Sequence, residues 1–131
     1  MTLVVTYKNC MNEKELQLRT KQFTLRIIKL IEALPQNDTG RIIGKQLLRS
    51  GTSVGANYRA VCRARSKAEF ISKLGIVIEE SDESVFWLEM IIEGKLMKEI
   101  LVHELLKEAN EITAIMVASS NSARKNLQSK I

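Results

Sequence analysis

The sequence predicts an all-α protein, an antiparallel up-down-up-down bundle of four helices, and three observations carry that expectation. One Pro and six Gly among 131 residues leave too few turn formers for a many-stranded sandwich or barrel. Leu, Ile, Lys and Glu, residues that helices accept readily, abound. Apolar residues recur at intervals of three and four through four stretches joined by short connections, the pattern of antiparallel helical neighbours. With 45% hydrophobic and 27% charged residues, a chain of this length buries a core as a single domain without disulfide or metal staples.

The first helix is expected over about 12–34. Asn12 and Glu15 have capping-box spacing, and Phe23, Ile27, Leu30, Ile31 and Leu34 share a face until Pro35 stops the pattern. A tight connection leads to a second helix over about 39–64, and Ser66 and Glu69 form a further capping box that opens a third over about 67–93, ending at Gly94. The fourth, over about 98–120, carries Leu101, Leu105, Ala109, Ile112 and Met116 on one side before a polar tail, 121–131.

The second helix carries charge of one sign. Between Arg41 and Lys67 there is no Asp or Glu. At about 100° per residue, Arg41, Lys45, Arg49, Arg59 and Arg63 fall on one narrow face, and Ile43, Leu47, Gly51, Val54, Gly55, Tyr58, Val61 and Cys62 fall opposite. Arg65 would point into that apolar arc, so the helix has ended by that residue. The stripe is a candidate surface for a phosphate backbone, since Lys and Arg gain affinity by releasing condensed counterions. It reads equally as a solvated face, or as the complement of acidic surface in the same chain or a neighbouring subunit. Gly51 and Gly55, spaced GxxxG among small residues, mark a close helix contact, because each Gly costs about 1 kcal/mol of helix propensity that packing must offset.

On the third helix the balance inverts. Glu79, Glu80, Asp82, Glu83, Glu89 and Glu93 lie between Leu74 and Gly94 with no Lys or Arg. Phe70, Leu74, Val77, Val85, Leu88 and Ile92 supply a core face. The apolar residues left off it, Ile76, Phe86, Trp87, Met90 and Ile91, are the candidate oligomer interface, since aromatics and Met are enriched at interfaces.

Catalysis finds little support. His103 is the only His and has no Glu three residues before it, as inward-facing di-iron sites require, and Cys10 and Cys62 lack zinc-site or redox spacing. Gly40 to Gln46 resembles a phosphate-binding loop but is one spacer short and has Gln46 where Ser or Thr should bind magnesium. No enzyme, catalytic residue, metal or cofactor is expected. Leu3-Val4-Val5 without a basic leader predicts no signal peptide, and no apolar run approaches membrane-spanning length. A reducing cytoplasm is the expected location.

Leu34-Pro35, the run from Gln46 to Arg59, Ser66 to Leu74 and Phe86-Trp87-Leu88-Glu89 resemble the bacterial four-helix-bundle proteins called 23S rRNA intervening-sequence proteins. The resemblance covers the middle half of the chain. It implies a left-handed bundle assembled as a ring-like homopentamer. It also implies kinship with the accessory proteins of diversity-generating retroelements, basic bundles that bind nucleic acid and a reverse transcriptase. Arg49, Asn57, Tyr58, Arg59, Ser66, Phe70, Trp87 and Glu89 fall on the family pattern. Ala60 departs from it by replacing a Glu, which makes the stripe more positive, and Val85 replaces a residue that is commonly polar. The function expected is a non-enzymatic pentamer whose basic helix-two faces bind nucleic acid, structured RNA above all. The competing expectation is a scaffold whose basic and acidic helices pair between subunits, with a reverse transcriptase as one such protein partner.

Overall fold

The structure, a computed structural model, describes residues 12–128; Leu3-Val4-Val5, Cys10 and the end of the polar tail lie outside them. Four helices follow in order: α1 (Glu13–Glu32), α2 (Asp38–Val61), α3 (Lys67–Glu93) and α4 (Glu99–Gln128). Each of the first three starts at a side-chain cap. Asn12 accepts the Glu15 amide at 2.8 Å, Asn37 the Gly40 amide at 2.9 Å and Ser66 the Glu69 amide at 3.0 Å. These caps satisfy donors that a helix start leaves unpaired.

All four helices bury stripes with alternating steps of four and three. On α1 the stripe is Leu16, Thr20, Phe23, Ile27, Leu30; on α2 it is Gly40, Gly44, Leu47, Gly51, Val54, Tyr58, Val61. On α3 it is Phe70, Leu74, Val77, Ser81, Ser84, Leu88, Ile91, and on α4 Val102, Leu105, Ala109, Ile112, Met116, Ser119, Ala123. A repeat of about 3.5 residues is the signature of left-handed coiling between packed helices.

This stripe corrects three expectations; on α4 it starts at Val102, and Leu101, expected on the same side as Leu105, is 61% exposed. Ile91 is fully buried and cannot present an oligomer surface, while Ile92 is only partly buried. The reason is that Ser81 and Ser84 belong to the stripe, so following apolar residues alone shifts its end by one position. Likewise α4 continues to Gln128 rather than ending near 120, because Ser119 and Ala123 stay in register on the core side. Two hydroxyl pairs in the interior are bonded across helices: Ser84 donates to Ser50 at 3.0 Å and Thr113 to Ser81 at 2.9 Å. Helix α2 closes at Val61, where Arg63 and Ala64 bond back to Ala60 and Val61, and the tightened turn turns Arg65 out to solvent.

The α1–α2 packing is close at two glycines. A Cβ on Gly51 would lie 2.9 Å from the branched side chain of Ile27, and one on Gly55 would lie 3.3 Å from the Thr20 carbonyl oxygen. Thr24 donates to the Gly51 carbonyl at 3.2 Å across the same seam. By contrast α1 and α4 leave a groove between them lined by Leu25, Leu30, Met97, Leu101 and Leu105. They are tied at one level by Arg19, which grips Glu108 through two hydrogen bonds of 2.7 and 2.6 Å and also reaches Glu111. Helix α3 ends in a Schellman turn: Leu96 bonds to the Ile91 carbonyl and Lys95 to that of Ile92, with Lys95 in the left-handed region at φ 56°.

Gly75 has no atom within 4 Å of where a Cβ would stand, so Gly75→Ala is expected to raise stability by about 1 kcal/mol, the helix-propensity difference. A Cβ on Gly40 would meet the Pro35 carbonyl oxygen at 2.1 Å, so Gly40→Ala is expected to lower stability by about 3 kcal/mol. Urea denaturation of both variants checks the pair; a Gly40→Ala protein as stable as the parent would contradict the geometry of this corner.

Candidate nucleic-acid interface

The five cations of the α2 stripe have three different fates. Arg41 bonds at 2.6 Å to Asp38 one turn before it, at the exposed start of the helix. Arg49 is taken by α3: one guanidinium nitrogen donates to Glu80 at 3.3 Å and another to Glu83. Lys45, Arg59 and Arg63 make no ion pair among the described residues. Arg63 lies just past the helix end rather than on it, yet stays beside Arg59.

The Arg49 pair is part of a small network. Glu83 accepts from Arg49 and from the Trp87 indole at 3.1 Å, and these two donors hold its carboxyl below the usual carboxylate range, Arg49 contributing more. The Phe86 ring stands edge-on to Trp87 with centroids 4.9 Å apart. Thus Trp87, expected at an oligomer surface, is partly buried against its own helix and the core. Ile76 and Phe86 are 45% and 48% exposed, so of the expected interface set these two present the most open apolar surface, and Met90 is intermediate.

Two grooves flank Arg59. One, of about 550 Å³, runs between α1 and α2 and includes Lys14, Lys21, Thr24, Thr52, Gly55 and Ala56. The other, of about 480 Å³, lies between the end of α2 and the start of α3, with Ala56 and Ala60 in it and Arg63, Arg65, Glu69 and Lys73 around it. Both include Ala56 and Arg59, so Arg59 stands on the ridge between them. Lys14, Lys21, Arg65 and Lys73 were not singled out from sequence as ligand contacts. Helical angles within α2 cannot find residues of α1 and α3, and the visible signal was only that the first and third helices begin with lysines.

The remaining residues of the sequence pattern are mostly structural. Tyr58 and Phe70 are buried core, and burial drives the Tyr58 phenol well above its ordinary ionisation, so it stays neutral. Asn57 donates its amide to the Ser53 carbonyl at 2.8 Å, and Ser66 caps α3. Burial is also the main reason the Cys62 thiol is pushed up, which removes thiolate character. Among the described residues no group of three His, Cys, Asp or Glu could hold a metal ion, and no helix is long and apolar enough to cross a membrane.

Residues 13–118, which include α1 to α3 and most of α4, match the family described as 23S rRNA-intervening sequence protein. The chain belongs to that family. A crystal structure from Bacteroides thetaiotaomicron, of a protein with unknown function from the S23 ribosomal protein family, superposes with a TM-score of 0.78 at 31% identity. The match covers 85% of this chain and 99% of that one, so it includes nearly the whole Bacteroides chain. No curated protein matches the sequence. Membership in the 23S rRNA-intervening sequence family therefore establishes the four-helix architecture, and function has to be argued from the surface residues.

Trp87 is the only Trp and reports on Glu83 directly. Because the Glu83 carboxyl is depressed in the folded protein, the stabilisation it supplies is present above the usual carboxylate range and is lost as pH falls through its lowered value. Tryptophan emission followed by acid titration is expected to change with a midpoint below the ordinary Glu value. In Arg49→Ala that midpoint is expected to move up, and an unmoved midpoint would show that Arg49 is not its cause.

Proposed function

We propose that this protein is a non-enzymatic, homo-oligomeric bundle of the cytoplasm that binds structured RNA through the basic surface centred on Arg59. The observation that carries this reading is the state of the cations. Arg49 and Arg41 have carboxylate partners, whereas Arg59 and Arg63 stand without an ion pair among the described residues, at the edges of concave surface. A cation held by a carboxylate has little to gain from a phosphate, while an unpaired one releases bound counterion when a phosphate arrives. The family description, which refers to intervening sequence of 23S rRNA, is consistent with an RNA ligand.

The scaffold alternative, in which basic and acidic helices pair between subunits, or with a reverse transcriptase as partner, has less support. Two of the six acidic residues between Leu74 and Gly94 that it would use, Glu80 and Glu83, already hold Arg49 inside one chain. Self-association, with a homopentamer as the form that the sequence resemblance implies, is supported by the exposure of Ile76 and Phe86 on one helix. Several Arg59 sites on one particle would bind a folded RNA with avidity.

Binding of structured RNA is expected to be salt-sensitive and to fall by about tenfold or more in Arg59→Glu/Arg63→Glu, as measured by filter binding. Equal affinity of that variant and the parent would sink the RNA reading. Light scattering is expected to report an oligomer for the parent and a smaller species for Ile76→Asp/Phe86→Asp, both substitutions falling on exposed positions; a monomeric parent at micromolar concentration would refute the oligomer.

A further inference from the structure

The two grooves that meet at Arg59 have more in common than a shared residue. Together they form one band that crosses the bundle, from α1 over the end of α2 to α3, rather than running along α2. Lys14 and Lys21 border it on α1, Arg59 and Arg63 at its middle, and Arg65 and Lys73 on the far side. Only one carboxylate, Glu69, is in it, with Lys73 3.8 Å away in a loose one-turn pair. Its floor at the crossing is Ala56 and Ala60, small side chains that let a ligand lie close to the α2 backbone.

Among the described residues the band offers no aromatic ring on which a base could stack. Among the described aromatics, Phe23, Tyr58 and Phe70 are buried in the core. Phe86 and Trp87 lie at least thirteen residues beyond Lys73, about 20 Å further along α3. Stacking on an aromatic ring, the usual means of holding single-stranded bases, is therefore not offered here. The two hydroxyls of the band are spent as well: Thr24 gives its proton to the Thr20 and Gly51 carbonyls, and Thr52 to those of Leu48 and Arg49, which leaves Gln17 as the one other uncharged polar side chain there.

We infer that this transverse band binds the sugar-phosphate backbone of a nucleic-acid strand, with Lys14 and Lys21 as phosphate contacts equal in rank to Arg59 and Lys73 joining them by giving up its loose Glu69 pair, and that it does so without reading base sequence. The inference rests on the nucleic-acid reading above and specifies the route and the chemistry recognised. Three helices at about 8–10 Å spacing give a track of about 20 Å, room for roughly six nucleotides of one strand at about 3.4 Å each. Six cations each neutralising one phosphate would give a log–log salt slope of about −4 per bound subunit on single-stranded RNA.

The test is fluorescence anisotropy with labelled oligo-U, oligo-A and a mixed-sequence RNA of equal length, over a salt series. The full chain is compared with Lys14→Glu/Lys21→Glu and with Ala60→Glu, which sets a carboxylate on the floor of the band. The parent is expected to bind all three RNAs within about threefold, and each variant to lose about tenfold or more while keeping its circular dichroism spectrum. Lys14→Gln and Lys73→Gln are each expected to flatten the salt slope by about one unit. If Arg59→Glu/Arg63→Glu weakens binding but Lys14→Glu/Lys21→Glu leaves it unchanged, the ligand stays on α2 and the transverse route is overturned, while the broader RNA reading stands. A preference of more than about tenfold for one sequence would overturn backbone-only recognition. Absence of binding to any RNA would instead remove the reading on which the band depends.

Discussion

The close approach of α1 and α2 is the constraint on which the rest of this structure depends. Gly51 and Gly55 have no side chain, so Ile27 and the Thr20 main chain can occupy the space a Cβ would need. Two interior glycines cost helix stability, and tight packing together with the Thr24 bond to the Gly51 carbonyl offsets that cost. Ala56, next to Gly55, lines both the groove beside that contact and the groove toward α3. Arg59 then rises between two grooves with lysines of α1 on one side and cations of the α2–α3 corner on the other.

Helix α3 decides which of the α2 cations stay available. Midway along the bundle it presents Glu80 and Glu83 to Arg49, and the Trp87 indole adds a second donor to Glu83. Near its N-terminus it presents Lys73 beside Glu69 to the end of α2, so Arg59 and Arg63 meet no carboxylate of their own. The same basic stripe is therefore paired at one level and solvent-directed nearly three turns further on. Exposed pairs of this kind contribute little to stability, so the chief effect of the Arg49 network is on where positive potential remains.

Family membership and function attach to different residues. Tyr58 and Phe70 fill the core, Ser66 caps α3, and Asn57 bonds to its own helix, so most of the recognisable pattern specifies how the helices pack. Arg59 and Glu89 are the charged members of that pattern whose side chains make no hydrogen bond or ion pair among the described residues. The similarity in fold to a Bacteroides protein of unknown function fits this division, because a shared core does not dictate a shared surface.

Much of the fold was legible in the sequence by itself. Helix caps at Asn12 and Ser66, the stop at Pro35 and the three-and-four spacing of apolar residues are local signals, and local signals set where helices start, stop and face. The sequence also determined that α2 is basic, that α3 is acidic and that Gly51 and Gly55 mark close packing. It misplaced Ile91, the end of α4 and the weight given to Arg49. In the first two cases Ser81, Ser84 and Ser119 sit in buried stripes as bonded or enclosed hydroxyls, and apolar periodicity passes over them. In the third, a helical wheel cannot say which cation an acidic neighbour will claim. Only the tertiary structure decided that Arg49 is paired and Arg59 is not, and that Lys14, Lys21, Arg65 and Lys73 join it in one band. Charges from three helices become neighbours through packing register, a distance in space that the order of residues along one chain does not contain.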